Sequence, residues 1–306
     1  MAKILIATEK PFAKVAVDGI KEVAETAGLE IVLLEKYTEK AQLLAAVADV
    51  EAMIIRSDKI DNEVFDAAKN LKIVVRAGAG YDNVDLAAAT AHNVCVMNTP
   101  GQNSNAVAEL VFGMLVFAVR NFYNGKAGTE LKGKKLGILA YGNVGRRVAH
   151  IAKGFDMDVY AYDAYCPAAA IESDGVKAVS SQDELFEKCE VVSLHIPATA
   201  ETRQSINYAL VGKMPKGGVL VNTARKEVIN EPELLKLMQD RTDLKYVTDI
   251  MPEADADFRI LEGRYFSTPK KMGAQTAEAN INAGVAAAHQ IAAFFKDGCT
   301  KYQVNK

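Results

Sequence analysis

The chain has 306 residues, 50% of them hydrophobic and 25% charged, and carries a formal net charge of −3 at pH 7. That is a globular composition long enough for two domains, and so slight an acidic balance leaves no electrostatic footprint for nucleic acid or for an anionic membrane. No apolar run approaches the ~20 residues of a membrane span, the first residues turn polar too early for a secretory signal, and four cysteines without CxxC spacing offer neither a zinc site nor a redox pair. A cytoplasmic protein with free thiols and no metal is expected.

Residues 1–99 alternate short β-rich runs, at 4–7, 31–34, 52–55, 73–75 and 94–97, with helical stretches at 11–27, 39–48 and 62–69. Helices lying between strands predict a small parallel sheet covered on both faces. Polar and charged clusters follow several strands: Thr8, Glu9 and Lys10; Arg56, Ser57 and Asp58; residues 76–83; and residues 98–101. Ligands gather at the carboxyl ends of strands in open parallel sheets, so these clusters are expected to face one crevice. A helical segment at 106–122 follows, apolar over more than one packing face, which predicts a bridge between domains and a contribution to a subunit interface.

Residues 134–163 read as strand, glycine turn, helix and second strand. The turn is Ala140-Tyr-Gly-Asn-Val-Gly145, and the second strand ends at Asp163, 163 − 145 = 18 residues beyond the last glycine. Gly142 lets the backbone approach a pyrophosphate, Gly145 lets the helix pack close on the strand, and the helix N-terminus offers N–H groups to the anion. Asp163 is placed to accept hydrogen bonds from an adenosine ribose and to repel a 2′-phosphate, so NAD is the expected cofactor. The first glycine of the usual fingerprint is Ala140 here.

Further on, a capping pattern at Ser181 and Glu184, strands at 191–194, 218–222 and 245–248, and a helix capped by Asn230 with Pro232 in its first turn continue the α/β alternation. An Ala-rich helix at 273–295 returns the chain to the first domain. The expected division is discontinuous: 1–99 with 284–306 as a substrate domain, and 100–283 as a dinucleotide domain. Arg225 closes an apolar strand, and its guanidinium fork suits a 2-keto carboxylate.

Taken together, Arg76-Ala-Gly-Ala-Gly-Tyr-Asp-Asn-Val-Asp85, Asn98-Thr-Pro-Gly101, Tyr141-Gly-Asn-Val-Gly145, Ser193-Leu-His-Ile-Pro197, Val221-Asn-Thr-Ala-Arg225 and Thr268-Pro269 resemble the D-isomer-specific 2-hydroxyacid dehydrogenases over nearly the whole length. The likeness is greatest to short members that oxidise D-3-phosphoglycerate to 3-phosphohydroxypyruvate on the way to serine. It implies a homodimer that uses NAD, with a Rossmann-type doubly wound domain inserted into a smaller flavodoxin-like α/β domain. It implies that Arg225 binds the substrate carboxylate and carbonyl, that Asp163 holds the ribose, and that Tyr141, Gly142, Asn143, Val144 and Gly145 form the pyrophosphate turn. His195, Ile196 and Pro197 then belong to the loop beside the cofactor, Ala79, Thr223, Ala224, Asp249 and Gly273 line its pocket, and Arg56, Ser57, Arg76, Ala77 and Gly78 meet substrate. His195 is read as structural and not as the acid/base.

Two departures bear on the chemistry. Counting from Asp249, the family's catalytic glutamate falls on Ala254, with Glu253 one position early, and the family's histidine segment reads Thr268-Pro-Lys-Lys-Met-Gly273. Counting back from Gly273 puts Lys271 at the histidine position, and counting forward from Thr268 gives Lys270; the helix start fixes the approach better, so Lys271 is the expected acid/base. A lysine begins near ~10.4, so losing a carboxylate neighbour is compatible with gaining it, and Arg225 and desolvation would lower it further. For a substrate phosphate, Arg56 and Arg76 are the first candidates, with Lys10 and Lys59 behind. A chain ending at Lys306 also leads us to expect no inhibition by serine. Rival readings are reduction of glyoxylate, hydroxypyruvate or D-lactate's keto acid within the family, and a non-enzymatic dinucleotide-sensing protein.

Overall fold

Two parallel sheets organise the chain in the computed structural model, which describes residues 1–306. The first holds β1 (Lys3–Thr8), β2 (Glu30–Glu35), β3 (Ala52–Ile55), β4 (Ile73–Arg76) and β5 (Cys95–Asn98) in the order β2-β1-β3-β4-β5, which is the flavodoxin-like order. Alternate residues face opposite helical layers. Ile4, Ile6, Ile54, Ile73 and Val75 meet the helices Lys14–Thr26 and Ala277–Asp297, while Leu5, Ala7, Met53, Ile55 and Val74 meet Lys40–Val47, Asn62–Ala67 and Leu86–Ala91. Burial on both faces is why these strands read as continuous apolar runs. Close contact between Lys14–Thr26 and Ala277–Asp297 depends on glycine: a Cβ on Gly284 would press on Ile20 and Phe12.

The second sheet holds β6 (Lys135–Leu139), β7 (Asp158–Tyr162), β8 (Lys177–Ala178), β9 (Val191–Leu194), β10 (Val219–Asn222), β11 (Lys245–Thr248) and β12 (Tyr265–Ser267), ordered β12-β11-β10-β9-β6-β7-β8. Read from β8, this is the doubly wound Rossmann order with β12 added at the far edge. Helices Ser104–Val119 and Asn143–Gly154 cover one face, and Gln182–Lys188 and Glu231–Asp240 the other. β8 and β12 are missing from the sequence reading because two or three residues carry no periodicity.

The chain divides into Met1–Asn103 with Thr276–Lys306, and Ser104–Gln275. The return crossing therefore precedes the expected residue 284, and residues 273–276 lie outside the helix expected at 273–295. The reason is local: Thr276 Oγ1 accepts the Ala279 N–H at 3.1 Å and starts the helix there, whereas the Gly273 N–H is taken by Asp249 Oδ2 at 2.6 Å. The helix Ser104–Val119 falls wholly in the second unit. It stops before residue 122 because Asn121, Phe122 and Tyr123 all turn left-handed (φ 52°, 55° and 54°), and Lys245 Nζ caps it through Ala118 O at 2.7 Å and Asn121 Oδ1 at 2.8 Å. No helix of the chain is long and apolar enough to cross a membrane.

Candidate functional site

In Ser104–Gln275 the strand β6 runs into the glycine turn, and the helix Asn143–Gly154 starts directly after Gly142, its N-cap. The space beside Gly142 is open, while a Cβ on Gly145 would run into the Ala140 carbonyl and the Ile138 side chain. Both observations are what a turn that admits a phosphate requires. Ala140, standing where the fingerprint has glycine, is held at φ 76°, which costs an L-residue about 1–2 kcal/mol. Ala140→Gly should therefore raise stability by about 0.5–1 kcal/mol, after the entropy of the more flexible unfolded glycine is set against the relieved strain. Urea unfolding checks this, and an unchanged or lower midpoint contradicts it.

Asp163 lies at the end of β7, half-buried. Its Oδ2 accepts the Tyr141 N–H at 2.7 Å, and its Oδ1 accepts those of Tyr165 at 2.7 Å and Cys166 at 2.8 Å. Burial alone would raise its pKa, but these backbone donors and the Arg146 charge hold it below the usual carboxylate range. A carboxylate has about four lone-pair sites, so Oδ2 keeps one acceptor direction for a ribose hydroxyl.

After β9, His195 Nε2 meets Ser193 Oγ at 2.9 Å, and burial pushes the imidazole down to about 3. The ring bonds its own strand, and desolvation favours its neutral form. Ile196 and Pro197 continue this loop, half-buried and exposed.

After β10, Asn222 braces the loop: its Oδ1 accepts the Ala224 N–H at 2.9 Å and its Nδ2 donates to Arg225 O at 3.0 Å. Two cations then converge on one carbonyl, for Arg225 Nη1 and Lys271 Nζ donate to Ala224 O at 3.0 and 2.7 Å. Lys270, by contrast, contributes only its carbonyl, accepting from Thr268 Oγ1 at 2.7 Å. Asp249, fully buried after β11, lies within the field of both cations. Burial raises its pKa, against the charges of Lys271 and Arg225 and the N–H groups of Gly273 and Met272. Its Oδ1 has no partner, nor does the buried Thr223 Oγ1. Gly273 is required beside it, since a Cβ there would press on Asp249 Oδ2 and Val107.

Ala254 does lack a carboxylate, and Glu253 does not replace it. Glu253 pairs with Lys226 at 2.9 Å, and its N–H and that of Ala254 are both capped by Glu231 at 3.1 and 2.9 Å. The acid beside Lys271 is Asp249, a pairing that motif counting does not show because it depends on two loops meeting.

In the other unit the ends of β1, β3, β4 and β5 lie side by side. Asp58 ties them together, accepting from Glu9 N at 2.7 Å, Arg56 N at 3.1 Å and Tyr37 Oη at 2.9 Å. Arg56, named above as a phosphate candidate, is committed to structure: Nη1 donates to Lys10 O and Pro11 O at 3.0 Å, Nη2 to Asn280 Oδ1 at 2.6 Å, and the plane lies 5.2 Å over Phe12. Arg76 Nε donates to Arg56 O at 3.0 Å, and its guanidinium occupies the space that a Cβ on Gly78 would fill. Ser57 and Ala79 are exposed, Ala77 is buried, and the carbonyl of Ala79 accepts from Asn98 Nδ2 at 2.6 Å. Thr8 Oγ1 and Thr99 Oγ1 are buried here without partners. Both belong to the strand-end clusters that the sequence places at a crevice, Thr8 with Glu9 and Lys10 and Thr99 within residues 98–101, though neither is singled out there as a ligand.

Orphaned buried oxygens at the ends of β1, β5, β10 and β11 mark the carboxyl edges of both sheets as ligand-facing. In the second unit the open Gly142, the Asp163 acceptor and the orphans of Thr223 and Asp249 fit a dinucleotide: turn for pyrophosphate, carboxylate for ribose, acceptors for an amide.

Comparison with known proteins agrees. Residues 116–265 match the D-isomer specific 2-hydroxyacid dehydrogenase, NAD binding domain. D-3-phosphoglycerate dehydrogenase of Methanocaldococcus jannaschii is 33% identical over 95% of this chain, which spans 57% of that longer protein. Hydroxypyruvate reductase of Thermotoga maritima is 34% identical over 86% of this chain and 90% of its own length. The NAD+-bound crystal structure of 3-phosphoglycerate dehydrogenase from Entamoeba histolytica is 48% identical, with a TM-score of 0.89 over 100% of this chain and 99% of that one. Sheet order, the glycine turn with its carboxylate, and full-length similarity converge, and the chain belongs to the D-isomer-specific 2-hydroxyacid dehydrogenase family, with an NAD-binding domain between Ser104 and Gln275.

Proposed function

We propose that the protein oxidises D-3-phosphoglycerate to 3-phosphohydroxypyruvate with NAD, the step that commits carbon to serine. The observation that carries the reading is the convergence of Arg225 and Lys271 on the Ala224 carbonyl beside Asp249. NAD, when bound, supplies the hydride acceptor. Arg225 holds the substrate carboxylate and orients the C2 hydroxyl. Once it has lost its extra proton, the Lys271 amine keeps one N–H on Ala224 O and turns its lone pair to that hydroxyl, taking the proton as the carbonyl forms. Tyr141 to Gly145 receive the pyrophosphate, with Asp163 on the ribose, His195, Ile196 and Pro197 alongside, and Thr223, Asp249 and Gly273 shaping the nicotinamide end.

For the phosphate, Arg76 is favoured over Arg56, because its guanidinium lies against the Gly78 backbone at the end of β4, while three of the five Arg56 N–H donors are held by Lys10 O, Pro11 O and Asn280 Oδ1. The backbone at Ala77 and Gly78 would shape the same recognition. Gly78→Ala must displace the Arg76 guanidinium, and both Gly78→Ala and Arg76→Met should raise KM for 3-phosphoglycerate about tenfold or more, the effect of losing one charge-assisted bond. KM for D-glycerate should hardly move; equal changes for both compounds would show that Arg76 does not read the phosphate. Reduction of unphosphorylated hydroxypyruvate is the second reading, favoured by the likeness to the Thermotoga maritima reductase.

We also propose a homodimer. Phe122 and Tyr123 stand edge-on to Phe117, which packs against Phe266 too, and Tyr123 remains 65% exposed. This aromatic group, with the half-buried Leu110 and Val116 of the same helix, is an apolar surface for a second copy. Light scattering should give twice the 33.0 kDa chain mass. A monomer at micromolar concentration rules the dimer out.

A further inference from the structure

The sequence position of Arg146, directly after the last turn glycine, suggests no role beyond starting a helix. Its side chain reaches the ribose end of the dinucleotide site. Nη2 lies 3.5 Å from Cys166 Sγ, and the Cys166 N–H is itself one of the donors to Asp163 Oδ1. The positive charge of Arg146 is felt at the Asp163 carboxylate. A cation in this position is what a dinucleotide site uses to accept a 2′-phosphate.

That cation is already engaged. Arg146 Nη1 pairs with Asp174 Oδ2, the guanidinium lies 4.8 Å over the Tyr141 ring, and the Tyr141 hydroxyl donates to the same Asp174 oxygen at 3.1 Å. Tyr141 is buried at the base of the turn, so one end of the clamp is immobile. Asp174 is exposed and lies outside the turn, beyond the helix Ala168–Glu172. An exposed ion pair alone is a weak tether, but the ring beneath the guanidinium and the shared tyrosine hydroxyl restrict Arg146 to one geometry.

We propose that Asp174 is a specificity-determining residue that acts through Arg146: by holding the guanidinium on Tyr141 it withholds from a 2′-phosphate the cation that would offset Asp163. Discrimination against NADP thus has two parts, repulsion by Asp163 and sequestration of Arg146. This rests on the reading of Asp163 as the ribose acceptor.

The test is binding of NADH and NADPH to the full chain, read by the emission of the bound reduced nicotinamide. The chain has no tryptophan to interfere. Asp174→Asn and Asp174→Ser should each raise the affinity for NADPH relative to NADH by about tenfold, the worth of one freed charge-assisted contact. Adding Arg146→Gln to either should return the ratio to that of the unaltered chain. A merely structural role for Asp174 would weaken both dinucleotides alike and leave the ratio fixed. An unchanged ratio in both Asp174 variants, or a gain that survives Arg146→Gln, overturns the proposal. Asp163→Asn is measured alongside and should weaken NADH binding; if NADH then binds as tightly as to the unaltered chain, the ribose reading fails and takes the proposal with it.

Discussion

Lys271→Met abolishes oxidation of the substrate while NAD still binds, and Lys270→Met is mild. Losing a positioned acid/base lowers turnover by about 10²–10⁴. The two lysines are neighbours in sequence and both are exposed, but only the Lys271 side chain reaches the Ala224 carbonyl that Arg225 also holds. Oxidation needs the amine without its extra proton, so kcat for the unaltered chain should rise as pH increases through an alkaline limb, and that limb should vanish with Lys271. His195 adds no limb of its own, because burial keeps its ring neutral down to about pH 3. Steady-state rates over pH check both statements. Near-normal kcat in the Lys271 variant, or a profile without an alkaline limb in the unaltered chain, contradicts the assignment.

Arg225→Lys, conservative in charge, should reduce kcat/KM by about 10²–10⁴, because an ammonium cannot reproduce two parallel bonds to a carboxylate and roughly 1.5–3 kcal/mol is lost for each. The Asn222 brace fixes the loop independently of the Arg225 side chain, so NADH affinity should remain close to that of the unaltered chain. A loss confined to KM for NAD would place Arg225 on the cofactor and not on the substrate.

What the sequence made legible follows from the range of each signal. Strands buried on both faces, such as β1 and β3, announce themselves as apolar runs. The turn at 140–145 and Asp163 are short-range patterns with a fixed mechanical purpose. The helix limits were harder: the stop at Val119 depends on a left-handed turn whose residues are not glycine, and although Thr276 caps the start at Ala277, Gly273 is held out of the helix by Asp249, which takes its N–H from a distant strand end. The same limit applies at the site. Motif spacing nominated Lys271 and Arg225 separately, yet their meeting at Ala224 O, the proximity of Asp249 and the occupation of Arg56 by Lys10, Pro11 and Asn280 arise from loops that come together only in the fold.

The central claim is a phosphate-reading, NAD-dependent 2-hydroxyacid oxidation, and NADH formation from a panel of D-3-phosphoglycerate, D-glycerate and D-lactate tests it most directly. The account predicts that kcat/KM for D-3-phosphoglycerate exceeds that for D-glycerate and D-lactate by about tenfold or more, the worth of one charge-assisted phosphate contact. Equal or better use of D-glycerate or D-lactate, or no NADH from any of the three by a chain that binds NAD, would contradict it.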